Sequence, residues 1–302
     1  MTWPPLPLDD WQDTYDTLHR WAQVVGKVRL EGTPWVNHSW HVPLYVTARG
    51  LSTSVIPSHG GFEVEFDFVD HRLRVATVAG EQRSFALRPM TVAAFYEAFM
   101  GALAGLGIDV EILARPVELE DATPFADDTE HAAYDADAAH RHWRVLVQAH
   151  RVFTDFRSRF LGKVSPVHFF WGAFDLAVTR FSGRDAPTHP GGAPNCADWV
   201  MEEAYSRELA SAGFWPGAGL GEAAFYAYAY PAPDGFKDAA VEPQAATYHD
   251  GLGEFVLPYD AVRTADDPDA ALMAFLQSTY AAAADLADWD RDRLERDETP
   301  PA

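Results

Sequence analysis

Short blocks of this sequence occur twice in the same order, and a duplication is the strongest constraint a chain can place on its own architecture. Only three lysines occur, and two of them sit in one tripeptide, Gly26-Lys27-Val28 and Gly162-Lys163-Val164. Nine positions separate Trp40 from Arg49, and nine separate Trp171 from Arg180, each pair following its tripeptide on a β-rich stretch. Phe85-Ala86-Leu87 then precedes one amphipathic helix and Phe255-Val256-Leu257 another. The matches predict an α+β fold of two pseudo-symmetric repeats, each a helix, antiparallel strands and a closing helix, sharing or abutting a central sheet. Repeat one takes residues 9–110 and repeat two 137–290, with an acidic connector at 111–136, a long loop insertion at 182–221 and an acidic tail at 291–302. Hairpin-length links between strands favour antiparallel pairing in one compact unit.

Periodicity supplies the elements. Trp11, Tyr15, Leu18, Trp21 and Val25 recur at helical spacing over 9–25, with Gly26 as the stop. Phe62, Val64, Phe66 and Phe68 alternate with Glu63, Glu65 and Asp67. A tight turn at Val69-Asp70 then sets Phe66 against Leu73 and Val64 against Val75, with Asp67 beside Arg72 and Glu65 beside Arg74. The acidic row of this hairpin reads as an ion-paired face, not a catalytic cluster. Residues 91–106, 137–161 and 267–288 read as helices, and 202–211 as a short helix inside the insertion. Strand is expected at 164–181, interrupted by Pro166 and Gly172, and at 223–230 and 253–259.

Forty-five acids against twenty-three Lys plus Arg give a net charge of −22, which repels phosphate backbones and anionic bilayers. No nucleic-acid or membrane partner is expected. Eight of the acids fall between Glu118 and Asp137 with no Lys or Arg among them, the pattern of a solvated surface. A single cysteine, Cys196, excludes an internal disulfide, and no apolar run reaches the roughly 20 residues of a membrane span. The start, Met1-Thr2-Trp3-Pro4-Pro5, has neither the basic nor the apolar region of a signal peptide, so a cytoplasmic location is expected. A Gly-x-Ser-x-Gly elbow, a dinucleotide fingerprint, a phosphate loop, a His-Glu-x-x-His helix and paired Cys-x-x-Cys are all missing, and the sequence names neither cofactor nor oligomeric state.

His38 and His41 lie three apart, but on regular strand they point to opposite faces and no third ligand follows at a diagnostic spacing, so no metal site is assigned. On an extended segment, Asn37, Ser39, His41, Tyr45, Thr47 and Arg49 share one face. In the second repeat Trp171, Asp175 and Thr179 share a face, and His168 and Arg180 the opposite one. These stretches are expected to line a cleft between the repeats, near Trp40 and Trp171. Arg49 and Arg180 are the candidate anchors for an anionic small molecule, and His41, His168 and Asp175 the candidate acid-base groups. Trp40, Trp171, Thr47, Thr179, Tyr226 and Tyr228 complete the ligand-binding set. Two other readings stand beside this one: a non-catalytic ligand-binding or interaction module using the Tyr226, Tyr228 and Tyr230 face, and a metal-dependent enzyme. Both arginines have a plainer role available, paired with the abundant carboxylates. The insertion, with Gly191-Gly192, is long enough to be a lid.

The runs from Asn37 to Gly50 and from Gly162 to Arg184, together with Phe66-Asp67-Phe68-Val69-Asp70-His71 and Gly213-Phe214-Trp215-Pro216-Gly217, resemble those of a bacterial family known only as a domain of unknown function. The likeness spans nearly the whole chain. It implies a free-standing bacterial protein of about this length, soluble, and carries no reaction, cofactor or catalytic residue.

Overall fold

A computed structural model of the chain describes residues 2–296. A long helix α1 (Gln12–Gly32) leads into strands β1 (Tyr45–Val46), β2 (Gly50–Ser52), β3 (Phe62–Asp67), β4 (Arg72–Thr77) and β5 (Gln82–Ala86), then α2 (Val92–Ala104). The second half begins with α3 (Ala136–Ser158) and runs through β6 (His168–Phe170), β7 (Asp175–Asp185), α4 (Asp198–Ala204), β8 (Arg207–Trp215), β9 (Ala224–Tyr230), β10 (Thr247–His249) and β11 (Glu254–Pro258). Helices α5 (Tyr259–Arg263), α6 (Pro268–Leu286) and α7 (Arg291–Leu294) close it. The strands form two antiparallel sheets, a five-stranded one in the order β1-β2-β3-β4-β5 and a six-stranded one in the order β10-β11-β9-β8-β7-β6, so the class is α+β.

The β3–β4 hairpin has the expected register: Phe66 opposes Leu73, Val64 opposes Val75, Asp67 opposes Arg72 and Glu65 opposes Arg74. Helix caps follow local chemistry. Thr91, Asp135 and Asp267 each accept a hydrogen bond from the backbone N–H three residues on, at the heads of α2, α3 and α6. One face of the larger sheet is apolar, with Leu176, Val178, Phe214, Phe225, Phe255 and Leu257 buried on it. Against it α3 packs on β7, and α6 on β8 and β9. In the first half Trp21 of α1 stacks on Phe95 of α2 at 4.7 Å.

The sheets meet edge to edge at one point, where Leu44 and Phe169 exchange backbone hydrogen bonds of 2.8 and 2.9 Å. The order helix, strands, helix occurs in both halves, and Phe85-Ala86 and Phe255-Val256-Leu257 each fall in the last strand before a helix, but the Gly-Lys-Val block does not occupy matching places. Gly26-Lys27-Val28 lies inside α1, which continues to Gly32, whereas Gly162-Lys163-Val164 precedes β6. Gly26 does not stop the helix; a side chain there would collide with the Trp171 indole, and its absence lets that ring lie against α1. The expected strand from Asn37 is a 3-10 turn, Asn37–Ser39, in which His38 and Ser39 hold left-handed φ values of 59° and 56°. The shared face drawn through Asn37, Ser39 and His41 therefore does not exist. In the second half, β8 runs through the expected insertion, and the short helix is Asp198–Ala204, not 202–211.

Candidate functional site

The register of the larger sheet gathers polar groups on the face turned away from α3 and α6. Gly213 on β8 opposes Ala177 on β7 and Tyr226 on β9, and Ser211 opposes Thr179 and Tyr228. Asp175, Thr179, Tyr226 and Tyr228 therefore share one face. A Cβ on Gly213 would overlap both the Tyr226 ring and the Leu176 carbonyl. Without it the tyrosine lies across β8, and its hydroxyl donates to Asp175 Oδ2. Thr179 and Ser211 hydroxyls meet at 2.9 Å, and the Tyr228 hydroxyl meets that of Tyr205 at 2.8 Å.

Two further carboxyls reach this face. Glu254 opens β11 on the side shared by Val256, which opposes Tyr226. Glu118 comes from the connector, which α1 holds in place: Gln23 exchanges hydrogen bonds of 2.8 Å with the Val117 carbonyl and N–H. Arg20 anchors the stretch that follows, pairing with Asp121 at 3.1 Å and buried Asp128 at 3.3 Å. With φ at 58°, Glu118 turns inward and sets its carboxyl over Gly172, where any side chain would occupy the same space. The Gly172 carbonyl is fixed from below by His19 Nε2 at 2.8 Å. Burial lowers the His19 pKa to about 4, so the ring is neutral and donates from that nitrogen. A roof runs above the face: Pro194 accepts from the Glu118 N–H at 2.7 Å, Asn195 Nδ2 donates to Leu119 at 2.7 Å, and His189 stacks on Tyr205 at 4.5 Å.

Burial pushes the Asp175 pKa up to about 6, against the opposing effect of the Tyr226 hydrogen bond. Burial, then the charge of Asp175, raises Glu118 and Glu254 each to about 7. The Tyr205 hydroxyl rises to about 12, and those of Tyr226 and Tyr228 lie well above the ordinary value, so all three are neutral donors. Yet Glu118 is solvent-exposed, and Glu254, Tyr205, Tyr226 and Tyr228 keep part of their surface accessible. The site is thus a crevice graded from a buried end at Asp175, through the half-buried Glu254 and tyrosines, to an outer edge at Glu118. Protons there are shared, since ionising Asp175 raises the pKa of both partners. Cys196, at the roof, is held up as a neutral thiol by burial and by Glu118. Two concavities, of about 200 and 390 Å³, lie beside α6 and include none of the three carboxyls, so chemistry rather than volume locates the site.

Four of the expected residues meet in this crevice: Asp175, Thr179, Tyr226 and Tyr228. The others lie elsewhere. Arg49 ion-pairs with Asp67 and Asp70, at 2.7 Å each, and the Thr47 hydroxyl bonds Glu65 and the backbone of the β1–β2 turn, so both hold that turn. Arg180 points through the sheet to the opposite face, where its guanidinium carbon lies 3.5 Å from the Phe156 ring centre and 4.3 Å from that of Tyr280. The pair of arginines is thus no clamp for an anion: one is exposed and paired, the other enclosed by aromatic rings. Trp171 donates to the Val42 carbonyl at 2.9 Å and Trp40 packs on His168 at 6.0 Å, so both tryptophans belong to the seam where the sheets join. His41 and His168 lie at that seam too, and no contact joins either to Asp175. Glu118, Glu254 and Tyr205 are new to the site. The signal for Glu118 was Gly172, a glycine interrupting a strand, which marks close approach by another group.

Among the described residues, no three His, Cys, Asp or Glu side chains are grouped to hold a metal ion. Nor is any helix among them long and apolar enough to cross a membrane. Fold and crevice together define an α+β protein of two edge-joined antiparallel sheets carrying a carboxyl and tyrosine site. The chain belongs to the DUF5996 family, a family of unknown function, which it matches over residues 3–296. Neither a curated protein nor a solved structure matches it.

Proposed function

We propose that this protein is a small-molecule enzyme that works by general acid-base catalysis in the Asp175 crevice. One observation supports this above all others: three carboxyl groups with pKa values raised to about 6, 7 and 7 face one tyrosine cluster on the polar side of the sheet. Acid-base work is most efficient when the group titrates near the working pH, and clustered shifts of this kind mark functional sites. Near neutrality Asp175 is the ionised member and acts as the base, while Glu118 and Glu254 are partly protonated and supply the acid. Tyr226 orients the Asp175 carboxylate, and of the hydrogen-bonded pair Tyr205 and Tyr228 one hydroxyl donates to the other, which donates to the ligand. With acids as its charged groups the crevice favours a neutral or cationic polar substrate, in place of the anionic one expected from Arg49 and Arg180.

Carbon-detected NMR of the carboxyl groups tests the electrostatic premise. Three midpoints between pH 6 and pH 7 are expected, and Asp175→Asn lowers those of Glu118 and Glu254 by removing the charge they share. Midpoints near 4 for all three would remove the premise. Turnover is sought by incubating wild type and Asp175→Asn with a library of neutral and cationic metabolites and reading product by mass spectrometry. A second reading, a binding module, is supported by the aromatic wall of Tyr205, Tyr226, Tyr228, Tyr230 and His189. Ligands that bind unchanged, with an affinity Asp175→Asn leaves alone, favour it over catalysis.

A further inference from the structure

Unpartnered polar atoms of buried side chains gather at the seam between the sheets, away from the acidic crevice. Arg29 is 5% exposed and His168 is 1% exposed, and both pack on the Tyr45 ring, Arg29 with its guanidinium carbon 5.4 Å and His168 with its ring 5.6 Å from that ring centre. His41, 2% exposed, follows the 3-10 turn that opens the seam. Arg29 Nε, His41 Nε2 and both ring nitrogens of His168 have no hydrogen-bond partner. Arg29 donates from Nη1 to the Thr53 carbonyl and also bonds the Tyr45 hydroxyl, a neutral partner. No carboxylate lies within ion-pair distance of Arg29 among the described residues.

His41 meets the protein backbone through one ring nitrogen only. Nδ1 lies 3.2 Å from the Val36 nitrogen and 3.3 Å from the Val36 oxygen, so it accepts from the one or donates to the other, and with the proton on Nε2 the unpartnered atom is a donor. His168 carries one N–H as well, and exposed Lys163 lies over the Trp40 ring at 5.0 Å, on the neighbouring edge of the seam. The seam therefore offers a guanidinium N–H, an imidazole N–H on His168 and a second on the Nε2–H tautomer of His41, with the Glu203 carboxylate acting on His41 only from beyond ion-pair distance, in a chain whose net charge is −22. A buried cation and buried donors left unpaired are costly, and an oxyanion satisfies both requirements at once.

We propose that the seam is a binding site for a compact oxyanion, a carboxylate or phosphate group, held by Arg29, His41 and His168. This is independent of the acid-base reading of the crevice, because neither set of residues contains a member of the other.

Thermal unfolding at constant ionic strength tests it, with inorganic phosphate and acetate as separate probes against chloride. At a hundredfold excess over Kd, the better anion is expected to raise the midpoint by about 5 °C. Arg29→Met loses the rise, while Arg49→Gln, which alters an exposed arginine outside the seam, keeps it. Phosphate and acetate responding unequally identifies the oxyanion. The proposal is overturned if neither anion raises the midpoint, or if Arg29→Met responds like the wild type. Should Arg29→Met fail to fold, long-range proton–nitrogen NMR of the wild-type histidines decides: phosphate or acetate shifts the His41 and His168 ring nitrogens if the site exists, and unmoved signals reject it.

Discussion

The acidic crevice and the seam lie on the same face of the larger sheet, since His168 opposes Ala177 and Asp175 opposes Phe170, yet burial acts on them in opposite directions. In the crevice desolvation raises carboxyl pKa values and stores protons near neutrality. At the seam it lowers histidine pKa values, and together with the nearby Arg29 and Arg157 charges it brings that of His168 to about 3. One physical cause, loss of water around an ionisable group, thus makes one region proton-rich and the other proton-poor. Charge segregation explains why neither region quenches the other. Each lacks the counter-ion that would return its groups to ordinary behaviour, and in each that lack makes a ligand the missing partner.

The two regions should give opposite pH dependences of stability, and the largest effect belongs to the seam. His168 has a folded pKa below its unfolded value of 6.5, so the unfolded state takes up the proton first. Its contribution is present above pH 6.5 and lost as pH falls toward 3. Replacing it with phenylalanine, which keeps the ring contacts with Tyr45 and Trp40, makes the variant more acid-tolerant than the wild type. The limit, reached only near pH 3, is about 5 kcal/mol. Urea unfolding from pH 3 to pH 8 measures it. His19 and His142, lowered by burial to about 4 and 3, give the acid limb the same sign, so the variant flattens that limb without abolishing it. An unchanged acid limb would break the comparison on the seam side.

For the crevice the sign reverses. Asp175 has a folded pKa of about 6 against 3.8 unfolded, so its contribution is fully present below pH 3.8 and is lost as pH rises through 6. Asp175→Asn removes that loss, and at pH 8 the variant is the more stable, by on the order of 3 kcal/mol. A smaller effect is expected for Tyr226→Phe, which deletes the donor to the Asp175 carboxylate. It costs about 2 kcal/mol at pH 8, where the acceptor is charged, and much less at pH 5. Equal costs at both pH values would mean that the hydroxyl packs but does not stabilise the anion.

Legibility in the sequence tracked how local the determining interaction is. The β3–β4 hairpin could be read to the residue, because strict alternation and a short turn fix register within one contiguous stretch. The starts of α2 and α6 were marked by Thr91 and Asp267 in the same local way. Strand β8 was hidden, since Ala210, Ser211, Ala212 and Gly213 carry none of the branched or aromatic side chains that announce a strand. The turn at Asn37–Ser39 was hidden because left-handed φ falls on histidine and serine, with no glycine to signal it. In the crevice, Asp175, Thr179, Tyr226 and Tyr228 were legible as polar or aromatic members of alternating strands. Glu118 was not. Its acid-rich surroundings read as a solvated connector, and only the packing of that connector on Gln23 and Arg20 of α1 carries its carboxyl inward.

The two glycines that make room in the crevice separate what is rigid there from what is adjustable. A methyl at Gly213 meets the Leu176 backbone carbonyl on one side and the Tyr226 ring on the other, so neither the strand nor the tyrosine can give way without breaking the Asp175 contact. A methyl at Gly172 meets only the carboxyl end of Glu118, a flexible side chain at the outer edge of the site that can swing outward. Gly172→Ala should therefore cost less than about 1 kcal/mol, the smallest change of the set. Its signature is chemical: the displaced Glu118 carboxyl moves into water and its pKa falls from about 7 toward the ordinary 4.5. Asp175 ionises before Glu118 and owes its raised pKa to burial, so its midpoint should stay near 6, and Glu254 keeps its own. Carboxyl NMR titration of the Gly172→Ala variant reads all three at once, and a Glu118 midpoint that stays near 7 would show that this residue does not owe its proton to the crevice.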